Sequence, residues 1–176
     1  MTEPTTARTL PTDGQDGPYL MFALGTLRCA LPRVAVRELL PLPRLSRPPS
    51  LPAAVAGFLN LGGQPVPVLA LEQLFGLPPV VVEADGVYRH LVLLRAEKPL
   101  ALLVDRVLDL ATAPPGSRRP VPPDQTLNGC VIATLAMPDG FASVLDPGRI
   151  LLAQEQAMLD DLTRREQERL AAWTAG

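Results

Sequence analysis

The stretch Gly57-Phe-Leu-Asn-Leu-Gly-Gly-Gln-Pro-Val-Pro-Val-Leu-Ala-Leu-Glu-Gln-Leu-Phe-Gly76 decides how the rest of this chain is read. It lies in the longest uncharged apolar run and carries a tight Gly62-Gly63 turn. Pro65 to Leu71 mixes strand-forming Val with two prolines. Proline has no backbone N–H to give to a ladder, which predicts a strand at an edge or at the rim of a small barrel. Leu71, Leu74 and Phe75 then recur at helical spacing, and Gly76 stands where a short helix would end. By itself the stretch reads as a buried strand–helix corner.

The segments around it repeat. Tyr19 to Leu24 reads as a strand, Gly25-Thr26 as a hairpin turn and Leu27 to Leu31 as the return. Val34 to Leu40 follows as a helical turn or a strand. Pro41 to Pro52, with five prolines, reads as an extended surface loop. Beyond a turn-forming linker at Glu83-Ala-Asp-Gly86, His90 to Leu94 is the next strand, Ala96 to Pro99 a turn, and Leu100 to Val104 the return. A shift of 71 residues lays Leu20 on Leu91, Phe22 on Leu93, Ala30 on Ala101, Val36 on Val107, Glu38 on Asp109 and Leu39 on Leu110. Gly57-Phe-Leu before Val66-Pro-Val-Leu is echoed by Gly129-Cys-Val before Ala142-Ser-Val-Leu. A repeated unit of short strands points to a mainly β fold of two small antiparallel barrels packed side by side, about 19–82 and 87–153.

The ends differ from this body. Residues 1–18 are polar and rich in Pro and Gly, which predicts a disordered tail. Gln154 to Trp173 lacks Gly and Pro and reads as a C-terminal helix within 154–176. Asp160–Arg164 and Asp161–Arg165 are its expected i,i+4 pairs. Met158, Leu159 and Leu162 form an apolar patch suited to docking on the body.

Composition removes several function classes. With 47% hydrophobic and 19% charged residues the chain has the balance of a soluble globular protein. A net charge of −2 gives no clustered basic surface for nucleic acid. A small-barrel nucleic-acid binder would also need exposed aromatics, and the chain holds only four Phe, two Tyr and one Trp. Arg28, Arg33, Arg37, Arg44 and Arg47 nevertheless sit in one region against a single acid, Glu38, and guanidinium groups suit protein interfaces. Cys29 and Cys130 are isolated in apolar runs and read as buried thiols of a reducing compartment. With no signal peptide and no apolar run long enough to span a bilayer, a cytoplasmic location without membrane insertion is expected.

Chemistry is hard to place. His90 has no Cys, Asp or Glu at metal-ligand spacing. Ser46, Ser50, Ser117 and Ser143 lack a nucleophile-elbow context, and Gly62-Gly63 precedes Gln and Pro where a phosphate loop needs Lys and Ser or Thr. Asp105 and Asp109 flank Val107 as surface acids. No catalytic, metal-binding or cofactor-binding residue is assigned, which leaves an interaction module as the best reading.

Six stretches, taken in order, resemble the CheW family of chemotaxis coupling proteins. They are Tyr19-Leu-Met-Phe-Ala-Leu-Gly25, Ala30-Leu-Pro-Arg-Val-Ala-Val-Arg-Glu38, Val55-Ala-Gly-Phe-Leu-Asn-Leu61, Val66-Pro-Val-Leu-x-Leu71, Ala101-Leu-Leu-Val-Asp-Arg-Val107 and Gln154-Glu-Gln-Ala-Met-Leu159. The resemblance implies two intertwined five-stranded antiparallel barrels of the Src-homology-3-like kind, with short helices and a C-terminal helix. It also implies a non-enzymatic adaptor that needs no cofactor. Its partners would be a chemoreceptor's cytoplasmic tip and the regulatory domain of a CheA-type histidine kinase, with self-association in arrays. Carried over by motif, Val36 and Glu38 would lie at a receptor or kinase contact. Gly57, Asn60 and Leu61 would shape the loop beside it, and Val104 and Val107 would line a groove between barrels, unless these valines are simply core.

The chain also departs from the family. Where the family reads Asn-Leu-Arg-Gly, this chain has Asn60-Leu-Gly-Gly63, and where it reads Val-Pro-Val-h-Asp-Leu-Arg (h hydrophobic), this chain has Ala70 and Glu72. A guanidinium is missing at Gly62, a carboxylate at Ala70, and a charge is reversed at Glu72. Interface charges govern partner choice more than total affinity. The departures therefore imply a scaffold for a divergent receptor–kinase pair, in a surface-motility or second-messenger pathway; the alternative reading is a stand-alone regulator or competitor in such an array.

Overall fold

The computed structural model describes residues 17–78 and 89–175. Most of the expected tail and the expected linker turn at Glu83–Gly86 lie outside those residues. The first repeat supplies β1 (Pro18–Leu24), β2 (Leu27–Pro32), β3 (Val36–Pro41), β4 (Val55–Leu61), β5 (Gln64–Ala70) and the short α1 (Leu71–Leu74). The second supplies β6 (His90–Leu94), β7 (Ala101–Val104), β8 (Arg106–Thr112), β9 (Arg118–Pro120), β10 (Val131–Met137) and β11 (Gly140–Leu145), followed by α2 (Ala153–Thr174). The two readings of Val34 to Leu40 both apply, since a 3-10 turn over Arg33–Ala35 feeds directly into β3.

Each repeat is a hairpin, a crossing strand and a second hairpin, and the crossing strands are exchanged. β3 leaves the first repeat to pair with β6 of the second, while β8 returns to pair with β1. One sheet therefore runs β8-β1-β2-β11-β10-β9 and the other β3-β6-β7-β5-β4. The sheets do not follow the division at 19–82 and 87–153 that the repeat suggests, because each draws strands from both halves. Two further expectations are corrected. The sheets are mixed, with parallel pairing of β2 with β11 and of β5 with β7 where hairpins of different repeats meet. One holds six strands, the extra one being β9.

Neither sheet is closed by a ladder among the described residues, but both are curled. β8 and β9 end opposite sides of one sheet, which when flat would set them about 24 Å apart. Residues 113–117 join them, a link that spans at most about 21 Å extended, and Ser117 N–H donates to Pro114 O in a turn that shortens it. The other sheet curls in the same way: five residues beyond β3, Ser46 bridges Phe58 of β4 at the far end. Bulges supply the bend, and they too repeat. Arg37 is the extra residue where β3 meets β6, and Leu108, its partner under the 71-residue shift, is the extra residue where β8 meets β1.

This curling explains why the strands read as near-continuous apolar runs. Leu20, Phe22, Leu24, Cys29, Leu31, Val92, Leu94, Leu102 and Val104 form a shared core between the sheets. The alternate residues fill the inside of each curl: Tyr19, Met21, Ala30 and Leu135 in one, Leu59, Val68, Leu91 and Leu103 in the other. Both faces of a strand are buried, so strict alternation of apolar and polar residues has no reason to exist. β5 lies second from the end of its sheet, inside the expected edge. Its Pro65 and Pro67 are tolerated because β7 pairs only with Val68–Ala70, leaving the proline half with β4 alone beside it.

Candidate protein-interaction surface

The turn between β4 and β5 holds Asn60, Leu61 and Gly62. Gly62 and Gly63 have φ of 60° and 89°, the two positive values that a two-residue hairpin turn requires. Gly63 N–H donates to Asn60 Oδ1 at 2.8 Å, so Asn60 fixes the turn while its residue stays exposed. Gly57 is buried in β4 with φ of 146°, and a Cβ there would stand 2.7 Å from Ser46 O. Its absence lets the 45–47 segment lie directly on β4, joined by Ser46–Phe58 backbone hydrogen bonds of 2.9 and 2.8 Å.

The remaining expected contacts divide. Val36 is 3% exposed and Val104 fully buried in the shared core, so their side chains have no surface to offer a partner. Val107 is half-buried against the same core. Glu38 points outward from β3. The structure thus brings Asn60, Leu61 and Gly62 together on one turn and Val36 and Val104 together in the core.

Sequence reasoning missed the apolar residues beside these positions. Leu39 on β3 and Leu110 on β8 are 40% and 52% exposed, and both strands end their sheets. The shift that lays Leu39 on Leu110 was the available signal. Val34, Leu108 and Phe141 are also exposed large apolar side chains. Beside β8 a cleft of about 360 Å³ includes Met21, Leu108, Met137 and Arg28, the last ion-paired to Asp139 at 2.6 Å.

The reversed charge at Glu72 has an internal explanation. Its carboxylate accepts from Arg89 Nη2 at 3.0 Å, and the same guanidinium lies 3.6 Å from Asp105. Asp105 in turn accepts from Gly25 N–H at 2.6 Å, which ties the first hairpin turn to the β7–β8 corner. Glu72 is therefore engaged within the fold. Ala70, where the family carries a carboxylate, is buried, and its N–H donates to Ala54 O.

α2 packs over β5 and is anchored twice. Near its start Leu159 enters the shared core, and Asp160 accepts from Lys98 at 2.6 Å. The hydrogen bond from Lys98 holds the Asp160 carboxyl below its usual range. This engagement leaves Arg164 to pair with Asp161 and Glu168, correcting the expected Asp160–Arg164 pair, whereas Asp161–Arg165 forms at 2.9 Å. Met158 is 58% exposed and takes little part in docking. Two turns on, Glu166 is 2% exposed and is the one buried charged side chain among the described residues. It accepts from Ser46 Oγ at 2.7 Å and from Arg169 Nη2 and Nε at 2.7 and 3.0 Å. The Arg169 guanidinium, aided by Ser46, holds its carboxyl below the usual range against the opposing effect of burial.

Cys29 and Cys130 are buried free thiols, and burial pushes Cys29 up to about 12. Among the described residues no group of three or more His, Cys, Asp or Glu could hold a metal ion, and no helix is long and apolar enough to cross a membrane.

Two curled sheets exchange strands, and their end strands β3 and β8 carry exposed leucines. A family model, the CheW-like domain, matches residues 18–155, and the chain belongs to that family. A probable chemotaxis protein CheW of Rhizobium etli is 28% identical over 109 residues, 61% of this chain and 68% of that protein. The crystal structure of the scaffolding protein TtCheW from Thermoanaerobacter tengcongensis shares the fold, with a TM-score of 0.65 at 20% identity over 74% of this chain and 89% of that one. The family is one of non-enzymatic scaffold proteins.

Proposed function

We propose that the chain couples the cytoplasmic tip of a chemoreceptor to the regulatory domain of a CheA-type histidine kinase, without chemistry of its own. The observation that carries this reading is the pair of repeat-related end strands, β3 and β8, each presenting an exposed leucine beside an acid: Leu39 by Glu38 and Leu110 by Asp109. Two like edges on opposite halves suit a protein that joins two partners, with apolar contact giving affinity and the acids giving selection. The turn of Asn60, Leu61 and Gly62 would add a third contact. The protein would work in the cytoplasm, recruited by receptors to the inner face of the membrane.

The departures at Gly62 and Ala70 favour a second form of this reading, in which the chain competes within an array in place of coupling it. Adding the chain to a receptor and kinase from the same cell and following kinase autophosphorylation separates the two. A coupler raises phosphorylation; a competitor lowers it. No effect at saturating concentration would remove both.

A further inference from the structure

Two residues in left-handed conformation follow one another between β9 and β10. Asn128 has φ of 55° and ψ of 14°, and Gly129 has φ of 67°. Asparagine tolerates this backbone better than most side chains and glycine adopts it freely, so the turn itself selects Asn-Gly. Gly129 is fixed for a second reason: a Cβ there would stand 3.1 Å from Pro123 Cβ and 3.3 Å from Pro123 O. The Asn128 carboxamide then donates from Nδ2 to Ile150 O at 3.0 Å. Ile150 is fully buried in the shared core just ahead of α2, so this hydrogen bond ties the turn to the root of that helix.

The same pair carries a chemical weakness. Asparagine is labile, most of all before glycine, where no side chain screens the next backbone nitrogen. The Gly129 nitrogen attacks Asn128 Cγ, the Cγ–Nδ2 bond breaks, and Nδ2 leaves as ammonia with the proton of the Gly129 nitrogen. Water opens the resulting succinimide at either carbonyl and leaves an aspartate or an isoaspartate. In the closed fold both reacting groups are engaged, since Gly129 N–H donates to Thr126 O at 3.1 Å while Nδ2 holds Ile150 O. Cyclisation must wait until both are released.

We infer that Asn128–Gly129 is a self-modification site, gated by opening of the contact with Ile150, and that conversion permanently loosens the root of α2. The product carboxylate has no hydrogen to donate and stands against the Ile150 carbonyl where Nδ2 had bonded to it. The first turns of α2 are then left to the packing of Leu159 and the Lys98–Asp160 pair. The reaction needs water alone, with no enzyme and no partner, so the modified fraction records how often the root has opened.

Asn60, the only other asparagine of the chain, precedes Leu61 and serves as an internal control. The full chain is held at mildly alkaline pH in three states: native, in urea below the unfolding transition, and unfolded in urea. Peptide mapping by mass spectrometry follows amide-to-acid conversion at both positions. In the unfolded chain Asn128 should convert faster than Asn60. In the native chain its conversion should be about tenfold slower or more, and should rise with urea below the transition. Hydrogen exchange of amides 153–163 should be about tenfold faster in Asn128→Asp than in wild type, and unchanged in Asn60→Asp. The deamidated fraction, isolated by ion exchange, should match Asn128→Asp. Equal conversion in native and unfolded chains overturns the gating, and conversion no faster than at Asn60 in the unfolded chain removes the site. Wild-type exchange in both Asn128→Asp and the deamidated fraction overturns the effect on α2.

Discussion

Gly57 and Gly62 look alike in the sequence, and the structure asks different things of them. At Gly57 a side chain meets backbone oxygen at 2.7 Å in a conformation that L residues rarely adopt, while at Gly62 the space within 4 Å is open. Gly57→Ala should therefore cost about 1–3 kcal/mol from strain alone, with the close contact added. Gly62→Ala should cost only about 1 kcal/mol. Urea midpoints compare them directly, and equal losses would show that the 45–47 segment can move away freely. Gly62→Arg, which restores the family's guanidinium, carries the same modest backbone cost. It should strengthen binding to a standard CheA-type kinase; no gain there, with binding to the native partners unchanged, would end the account of divergence built on that position. Glu166 makes a prediction about acid. The Arg169 hydrogen bond lowers its carboxyl below the ordinary value when folded, so its contribution is complete above the unfolded value and is lost as pH falls from there through the lower folded value. The stability difference between wild type and Glu166→Gln should close over that interval, and a gap that persists at lower pH would place the effect elsewhere.

Among the elements, the hairpins were the most legible from sequence, because Gly25-Thr26 and Gly62-Gly63 mark their turns and Val and Leu fill their arms. The strands that cross between sheets were harder to read. β3 and β8 carry exposed leucines and bulges, so neither strict alternation nor an unbroken apolar run announces them. Repeat spacing identified their kinship, but no local signal could reveal that each pairs with the other repeat. The valines carried over from the family were ambiguous for a related reason. Val36 and Val104 sit where strands enter the shared core, and a motif cannot distinguish a buried valine from one in a groove. At this scale the test is Leu39→Glu and Leu110→Glu, read by binding to receptor tip and kinase domain. Each should weaken one partner about tenfold or more with thermal stability nearly unchanged, because both side chains are substantially exposed. Loss of both partners in either variant, or of neither, would contradict a division of labour between the edges.

For the whole molecule, exchange of the crossing strands makes the two halves dependent on each other. The first repeat alone would lack β6 and β7, which sit between β3 and β5, and the second would lack β1 and β2, which sit between β8 and β11. Separately produced fragments 1–78 and 89–176 should each stay unfolded and should form a native-like complex when mixed, judged by the return of cooperative melting. Two independently folding fragments would refute the exchange. The same arrangement sets an order on synthesis at the ribosome. The five-stranded sheet has all its strands once residue 104 has emerged, but the six-stranded sheet must wait for residue 145. At about 5–20 residues per second, β1 and β2 remain without β11 for roughly 2–8 s after the first sheet is complete. During that interval the apolar β1–β2 hairpin is the part of the nascent chain most in need of a chaperone.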